Sequence, residues 1–283
     1  MRAAICGLVF VLACGSNGTS GDDDDTPTPD APVEPPGEWT PLITKGWQLA
    51  PGGEKTSDLQ IDTTDRELVI GGLRPLSPLG THHTLLFRGA SGMNAIYASG
   101  IGTGELVFPP GKAMKIPKGQ LIGLQLHIFN QTDEMLTGTS GIEMMEVDPA
   151  DVTEEVDMFL PGPQDFQLAP NAETTTSGSC TVKSAYKVFA LFPHMPQLGR
   201  HLKTTLTIGG VDQVLHDEIY EFEHQNVLTF EPIQLNAGDK VKTDCTFMNT
   251  TGQTVTYGES STTEMCYSIL YRFPKANDEF CEN

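Results

Sequence analysis

The chain has 283 residues, with 37 Asp and Glu against 17 Lys and Arg, a net charge of -20, and 38% hydrophobic and 7% aromatic residues. That apolar content excludes a disordered or fibrous chain and suits one large or two ordinary globular domains. So acidic a surface also excludes a protein that tracks phosphates, because nucleic-acid affinity comes from Lys and Arg releasing counterions.

Residues 1–13, MRAAICGLVFVLA, place one positive charge at Arg2 before a short apolar run, which reads as a signal peptide too short to span a bilayer. Val11-Leu-Ala-Cys14 resembles the lipobox of bacterial lipoproteins, in which the signal is cut before the Cys and lipid is attached to it. Gly15 after Cys14, rather than an aspartate, implies outer-membrane sorting. Residues 14–38 then hold seven acids and no base in a Pro-rich stretch with almost nothing to bury, and are expected to be a tether. Export leaves Cys180, Cys245, Cys266 and Cys281 in an oxidising compartment with no CxxC among them, so two disulfides in the second half are expected.

From residue 39 onward no ten-residue stretch carries an apolar 3.6 period. Short apolar or alternating runs recur instead at 67–73, 83–87, 121–129, 141–147, 184–192, 204–208, 227–230, 240–248 and 265–273. Pro and Gly punctuate them, as at Pro78-Leu-Gly80, Pro117-Lys-Gly119, Gly209-Gly210 and Asn236-Ala-Gly238. This pattern predicts an all-β chain of Greek-key or jelly-roll sandwich character. The acidic, turn-rich stretch 148–163 near the midpoint marks a boundary between domains at 39–150 and 151–283.

Histidines carry the candidate chemistry. His82 and His83 are adjacent at the start of an apolar run, and consecutive strand residues face opposite ways unless the backbone turns there, as the preceding Pro78-Leu-Gly80 allows. In LIGLQLHIF, Ile122, Leu124, Leu126 and Ile128 share one face while Gln125 and His127 share the other, so His127 can converge with a partner elsewhere in the sheet. Three imidazoles without a carboxylate suit copper or zinc. His194 ends the run SAYKVFALFP on the parity of Ser184, Tyr186, Val188, Ala190 and Phe192, and Met265 opens MCYSILYRF, where a thioether beside imidazole would favour Cu(I). No HExxH, GxSxG, GxGxxG or P-loop string occurs. Asn130-Gln-Thr132 and Asn249-Thr-Thr251 are formal glycosylation acceptors.

Taken in order, THHTLLFR (Thr81 to Arg88), Leu124-Gln-Leu-His127, FALFPH (Phe189 to His194) with Leu198-Gly-Arg200, Glu221-Phe-Glu-His224, GDKVKTDCTF (Gly238 to Phe247) and SSTTEMC (Ser260 to Cys266) resemble the landmarks of the copper type II, ascorbate-dependent monooxygenases. This is the family of peptidylglycine α-hydroxylating monooxygenase and dopamine β-monooxygenase. The resemblance implies two successive jelly-roll β-sandwich domains with one copper in each, across an open, solvated cleft. It implies that His82, His83 and His127 hold the first copper, which stores and passes an electron. His194 and Met265 match two of the three ligands of the second, where oxygen binds and a substrate C–H bond is broken. It also implies disulfides Cys245–Cys266 and Cys180–Cys281, and a non-ligand role for His224.

The chain departs from the family at HMPQLGR, where Pro196 stands at the second histidine position; His201 is the nearest substitute, and a weak or vacant second site is the alternative. The arginine that grips a peptide carboxylate in amidating members is Phe192 here, and Tyr267 and Ile269 replace the asparagine and tyrosine after EMC, so the substrate stays open. The expectation is therefore an exported, lipid-anchored, monomeric monooxygenase at the outer membrane or cell surface, using copper, O2 and a reductant such as ascorbate. The alternative is a non-catalytic copper- or ligand-binding surface lipoprotein with a degenerate second site.

Overall fold

The structure, a computed structural model, describes residues 37–57, 59–90, 94–258, 260 and 262–276, and the backbone of 280–281. The expected signal, Cys14 and most of the tether lie outside the described residues, as does the side chain of Cys281. Residues from Pro35 onward form one compact unit. It is all-β: a single 3-10 turn at Pro149–Asp151 is the one helical element among the described residues, and none of them forms a helix long and apolar enough to cross a membrane.

In the first half, one sheet runs in the order Trp39–Leu49, Leu136–Glu146, Leu68–Leu76, Lys112–Ile116 and Glu154–Glu155, and the other in the order Glu54–Thr56, Leu121–Phe129, Thr81–Arg88 and Ala95–Ser99. The alternation in Leu121–Phe129 sends Ile122, Leu124, Leu126 and Ile128 inward at 3% exposure or less. There they meet Ile43, Ile70, Leu73 and Ile142 of the facing sheet, each buried side chain contributing roughly 1.5–3 kcal/mol against exposure. In the second half, Leu228–Leu235, Tyr186–His194, Tyr267–Phe273, Asp157–Pro161 and Phe280–Cys281 form one sheet, and Ala172–Thr181, Lys240–Asn249, Gly199–Ile208 and Val211–Ile219 the other. Gly209 and Gly210, at φ 58° and 83°, make the tight turn between Gly199–Ile208 and Val211–Ile219 in that sheet, a backbone that residues with a Cβ resist.

The strand Tyr186–His194 corrects the simple parity reading. Its pairing slips between Val188 and Ala190 on both sides: against Tyr267–Phe273 Phe189 is the extra residue, and against Leu228–Leu235 the surplus lies in residues 230–232 of the partner strand. Before the slip Tyr186 and Val188 enter the second half's own core. After it Ala190 and Phe192 face the cluster shared with the first half, where Phe189 meets Phe108 edge-on at 5.7 Å. That shared cluster, with Leu106, Met158 and Tyr271, joins the two halves.

Both formal glycosylation acceptors are spent on structure. Asn130 is fully buried; its amide donates to the carbonyls of Leu49 and Glu134, and its oxygen accepts from the Thr132 amide and hydroxyl. Asn249 repeats the arrangement with Leu168, Gln253 and Thr251. Each half therefore carries the same Asn-x-Thr turn at a strand end, with the asparagine inaccessible to a glycan.

Cys245 and Cys266 form a disulfide. Cys180 is also disulfide-bonded and fully buried. Arg272, fully buried, bonds Asp157 through Nε at 2.8 Å and Nη2 at 3.1 Å, with its guanidinium over Phe159 and Tyr186.

Candidate metal centre

The strand Thr81–Arg88 pairs with Leu121–Phe129, matching Thr81 to Ile128 and His83 to His127. His82 is the extra residue of a β-bulge, so two consecutive side chains turn to one side. The turn that the adjacent pair requires is thus made at His82 itself rather than at Pro78-Leu-Gly80. His83 Nδ1 lies 2.9 Å from His82 Nδ1 and 3.4 Å from His127 Nδ1, and the three rings form a group whose ligand atoms all lie within 4.8 Å. Imidazole nitrogens on one ion at about 2.0–2.1 Å stand about 3.3–3.5 Å apart, so the three fit a single copper or zinc ion.

The far nitrogens are all engaged. His82 Nε2 lies 2.7 Å from Glu223 Oε2, and His127 Nε2 lies 2.6 Å from Glu54 Oε1. A carboxylate there holds the proton on Nε2 and leaves the Nδ1 lone pair free to ligate. Burial first, then the imidazoles of His82, His194 and His127, push His83 down to about 2, against a smaller upward pull from the Phe222 backbone. His83 is therefore neutral at any working pH, the state a ligand requires.

Glu223 belongs to the second half. Its segment, residues 220–227, reaches across so that the Phe222 ring sits 5.3 Å from His82 and 4.8 Å from His83. Gln225, 2% exposed, follows it. Gly100 permits this approach: a Cβ there would stand 2.9 Å from the Gln225 Cβ and 3.4 Å from His83. Thr103 secures the segment by donating to the Gln225 carbonyl. Where the family resemblance implies an open cleft, a buried amide spans the gap: Gln225 Nε2 is 2.8 Å from His83 Nε2, and Gln225 Oε1 is 3.0 Å from His194 Nδ1.

His194 ends its strand opposite Tyr267, half-buried and stacked on Phe192 at 6.1 Å, and burial lowers its pKa. Met265 lies two residues beyond Tyr267 on the neighbouring segment and packs against the shared core cluster. Pro196 offers no donor atom. Met195 is fully buried in a different cluster with Tyr220 and Cys245, and His201 lies in the opposite sheet with Nε2 3.1 Å from Asp217. Among the described residues no group of three His, Cys, Asp or Glu forms around His194. The structure thus gathers the first set of predicted ligands, and among the described residues it gathers no comparable group around His194. His224 is exposed beside Glu221 and touches neither set. Glu54, Glu223 and Gln225 escaped the sequence reading because each is one polar residue in a polar stretch, placed only by strand register and by the crossing of residues 220–227.

Residues 155–283 match the family model of the copper type II ascorbate-dependent monooxygenase, C-terminal domain. The second half of the chain is thus similar to that C-terminal domain. The matched stretch includes Glu223, Gln225, His194 and Met265. Among solved structures, the turret protein A223 of Sulfolobus turreted icosahedral virus aligns over 83% of this chain and 97% of its own, at 12% identity and a TM-score of 0.20. A chain of infectious bursal disease virus, Gx strain, aligns over 86% and 74%, at 11% identity and 0.25.

Proposed function

We propose that this chain is an exported copper-dependent monooxygenase that hydroxylates an activated C–H bond with O2 and an external one-electron donor such as ascorbate. The observation that carries the reading is the convergence of three Nδ1 atoms in the half that precedes a monooxygenase C-terminal domain. Copper at the triad would accept and release one electron. The protein's residues prepare that site: Glu54 and Glu223 hold protons on the far nitrogens, burial keeps His83 neutral, and Phe222 covers the rings of His82 and His83. His194 and Met265 are the C-terminal residues at which the oxygen-handling centre is proposed. Anchoring through a lipid on Cys14 is supported by Val11-Leu-Ala-Cys14.

A second reading, a non-catalytic copper-binding surface lipoprotein, is favoured by Pro196 and by the commitment of His201 to Asp217. Oxygen uptake that needs both ascorbate and copper, and that is lost in His194→Ala, supports the enzyme. A copper-loaded protein that stays silent across a broad substrate screen supports the binding module.

A further inference from the structure

Two turns of the first half raise aliphatic side chains into solvent at one place. Pro78 to Thr81 closes through the Thr81 amide on the Pro78 carbonyl at 2.9 Å, and Gly100 to Thr103 closes in the same way at 3.3 Å. Each puts an aliphatic residue second, Leu79 or Ile101, and a glycine of positive φ third, Gly80 at 96° or Gly102 at 82°, the residue order that suits a type II turn. Leu79 is 74% exposed and Ile101 39%. Single apolar residues at a surface need no explanation, but these two line one hollow of about 230 Å³ together with Pro78, Phe129, Leu136 and His82. Its wall is fixed: a Cβ on Gly80 would stand 2.8 Å from the Trp47 ring and 3.3 Å from Leu136, and the Phe129 amide donates to the Gly80 carbonyl at 2.8 Å. None of the lining residues is Asp, Glu, Lys or Arg, on a chain of net charge -20.

We propose that this hollow binds one small neutral ring of the hydroquinone or catechol class and is where the external electron donor meets the triad. The donor role rests on the copper reading above; binding of the ring does not. Size sets the first limit. An apolar cavity of about 150 Å³ holds benzene and drug-sized ligands need about 300–1,000 Å³, so a hollow of about 230 Å³ takes a single substituted ring. Lining sets the second, because aliphatic and aromatic walls offer no cation to draw an anion, and the net charge of the chain repels one; an ascorbate anion is therefore not held here. Gln131, exposed at the rim, brings an amide that can donate to or accept from a phenolic hydroxyl. Position sets the third: a ring in the hollow lies against the imidazole of His82, whose Nδ1 is 2.9 Å from His83 Nδ1. In the transfer, the hydroquinone gives one electron to Cu(II) and one proton to water, and leaves as a neutral semiquinone while Cu(II) becomes Cu(I).

The test begins with the full chain free of metal, its Leu and Ile methyls labelled for NMR, and 4-fluorophenol as the ring probe. Saturable shifts of the Leu79 and Ile101 methyls are expected, and none with ascorbate at the same concentration. Fluorine line broadening of the probe then compares variants. Leu79→Asp and Ile101→Asp, each setting a charge against the apolar hollow from an exposed position, should weaken binding about tenfold. Val211→Asp, the same change at an exposed strand residue outside the hollow, should alter nothing. No saturable shift at those methyls, or equal shifts with ascorbate, would overturn the ring site. The donor role is read in anaerobic protein loaded with Cu(II), from the decay of its EPR signal. With hydroquinone the rate should saturate, and below saturation should fall in Leu79→Asp by the same factor as ring binding; with ascorbate it should stay linear and ignore that variant. A hydroquinone rate indifferent to Leu79→Asp, or hydroxylation of the bound ring under O2, would overturn the donor role. Ring binding by a protein that takes up no Cu(II) would uphold the ring site and overturn the copper reading together with the donor role that depends on it.

Discussion

Replacing Glu223 by alanine tests how the second half contributes to a site built from first-half histidines. Glu223 accepts from His82 Nε2 at 2.7 Å; the histidine is 6% exposed and the carboxylate 57%. Removing a carboxylate that orients a ligating imidazole costs about 10–100-fold in metal affinity, or roughly 1.4–2.7 kcal/mol. Because Glu223 is more than half exposed, solvent screens its charge and the loss should fall near the lower figure, arising from the freed ring and tautomer rather than from Coulomb attraction. Competition titration of Cu(I) against a chromophoric chelator measures it. Glu223→Gln keeps an acceptor and should lose less. Glu221→Ala removes only the partner of exposed His224 and should change nothing. Unchanged affinity in Glu223→Ala, or an equal loss in Glu221→Ala, would refute the orienting role.

Four further outcomes follow from the fold. Burial raises Glu264, 3% exposed, from an ordinary 4.5 to about 7, outweighing the Leu198 amide at 3.1 Å. The folded state thus holds a proton that the unfolded state has lost, and copper-free stability should be full below pH 4.5 and decline by on the order of 3 kcal/mol as pH rises through about 7; urea unfolding at both limits checks this, and Glu264→Gln should flatten the dependence. Asp157→Ala removes a two-point partner of the buried Arg272 and should lower stability in the same assay. Replacing both Cys245 and Cys266 by alanine frees a loop of sequence separation 21, for which chain entropy predicts a loss of about 3 kcal/mol under non-reducing conditions. His201→Ala should leave copper stoichiometry unchanged by metal analysis, because that ring serves Asp217 in the opposite sheet.

The all-β class and the strands at sheet centres were legible in the chain alone, because a strand buried on one face must alternate, as residues 121–129 do. Trp39–Leu49, Ala172–Thr181 and Val211–Ile219 escaped that reading for a common reason: each is a sheet edge, where solvent meets one face and one rim and polar residues cost little. The histidines at 82, 83 and 127 could be nominated from residue type and spacing, since those are local properties. Their convergence could not, because it depends on a bulge at His82 that only the pairing of Thr81–Arg88 with Leu121–Phe129 defines. Pro196 announced a missing ligand from its covalent structure, while the fate of His201 was decided by which sheet its strand joined. Glu223 and Gln225 lie about 140 residues from the histidines they touch, at separations of 141 and 142. No periodicity encodes such a contact; it exists because the two halves share a core cluster and one polar segment crosses between them.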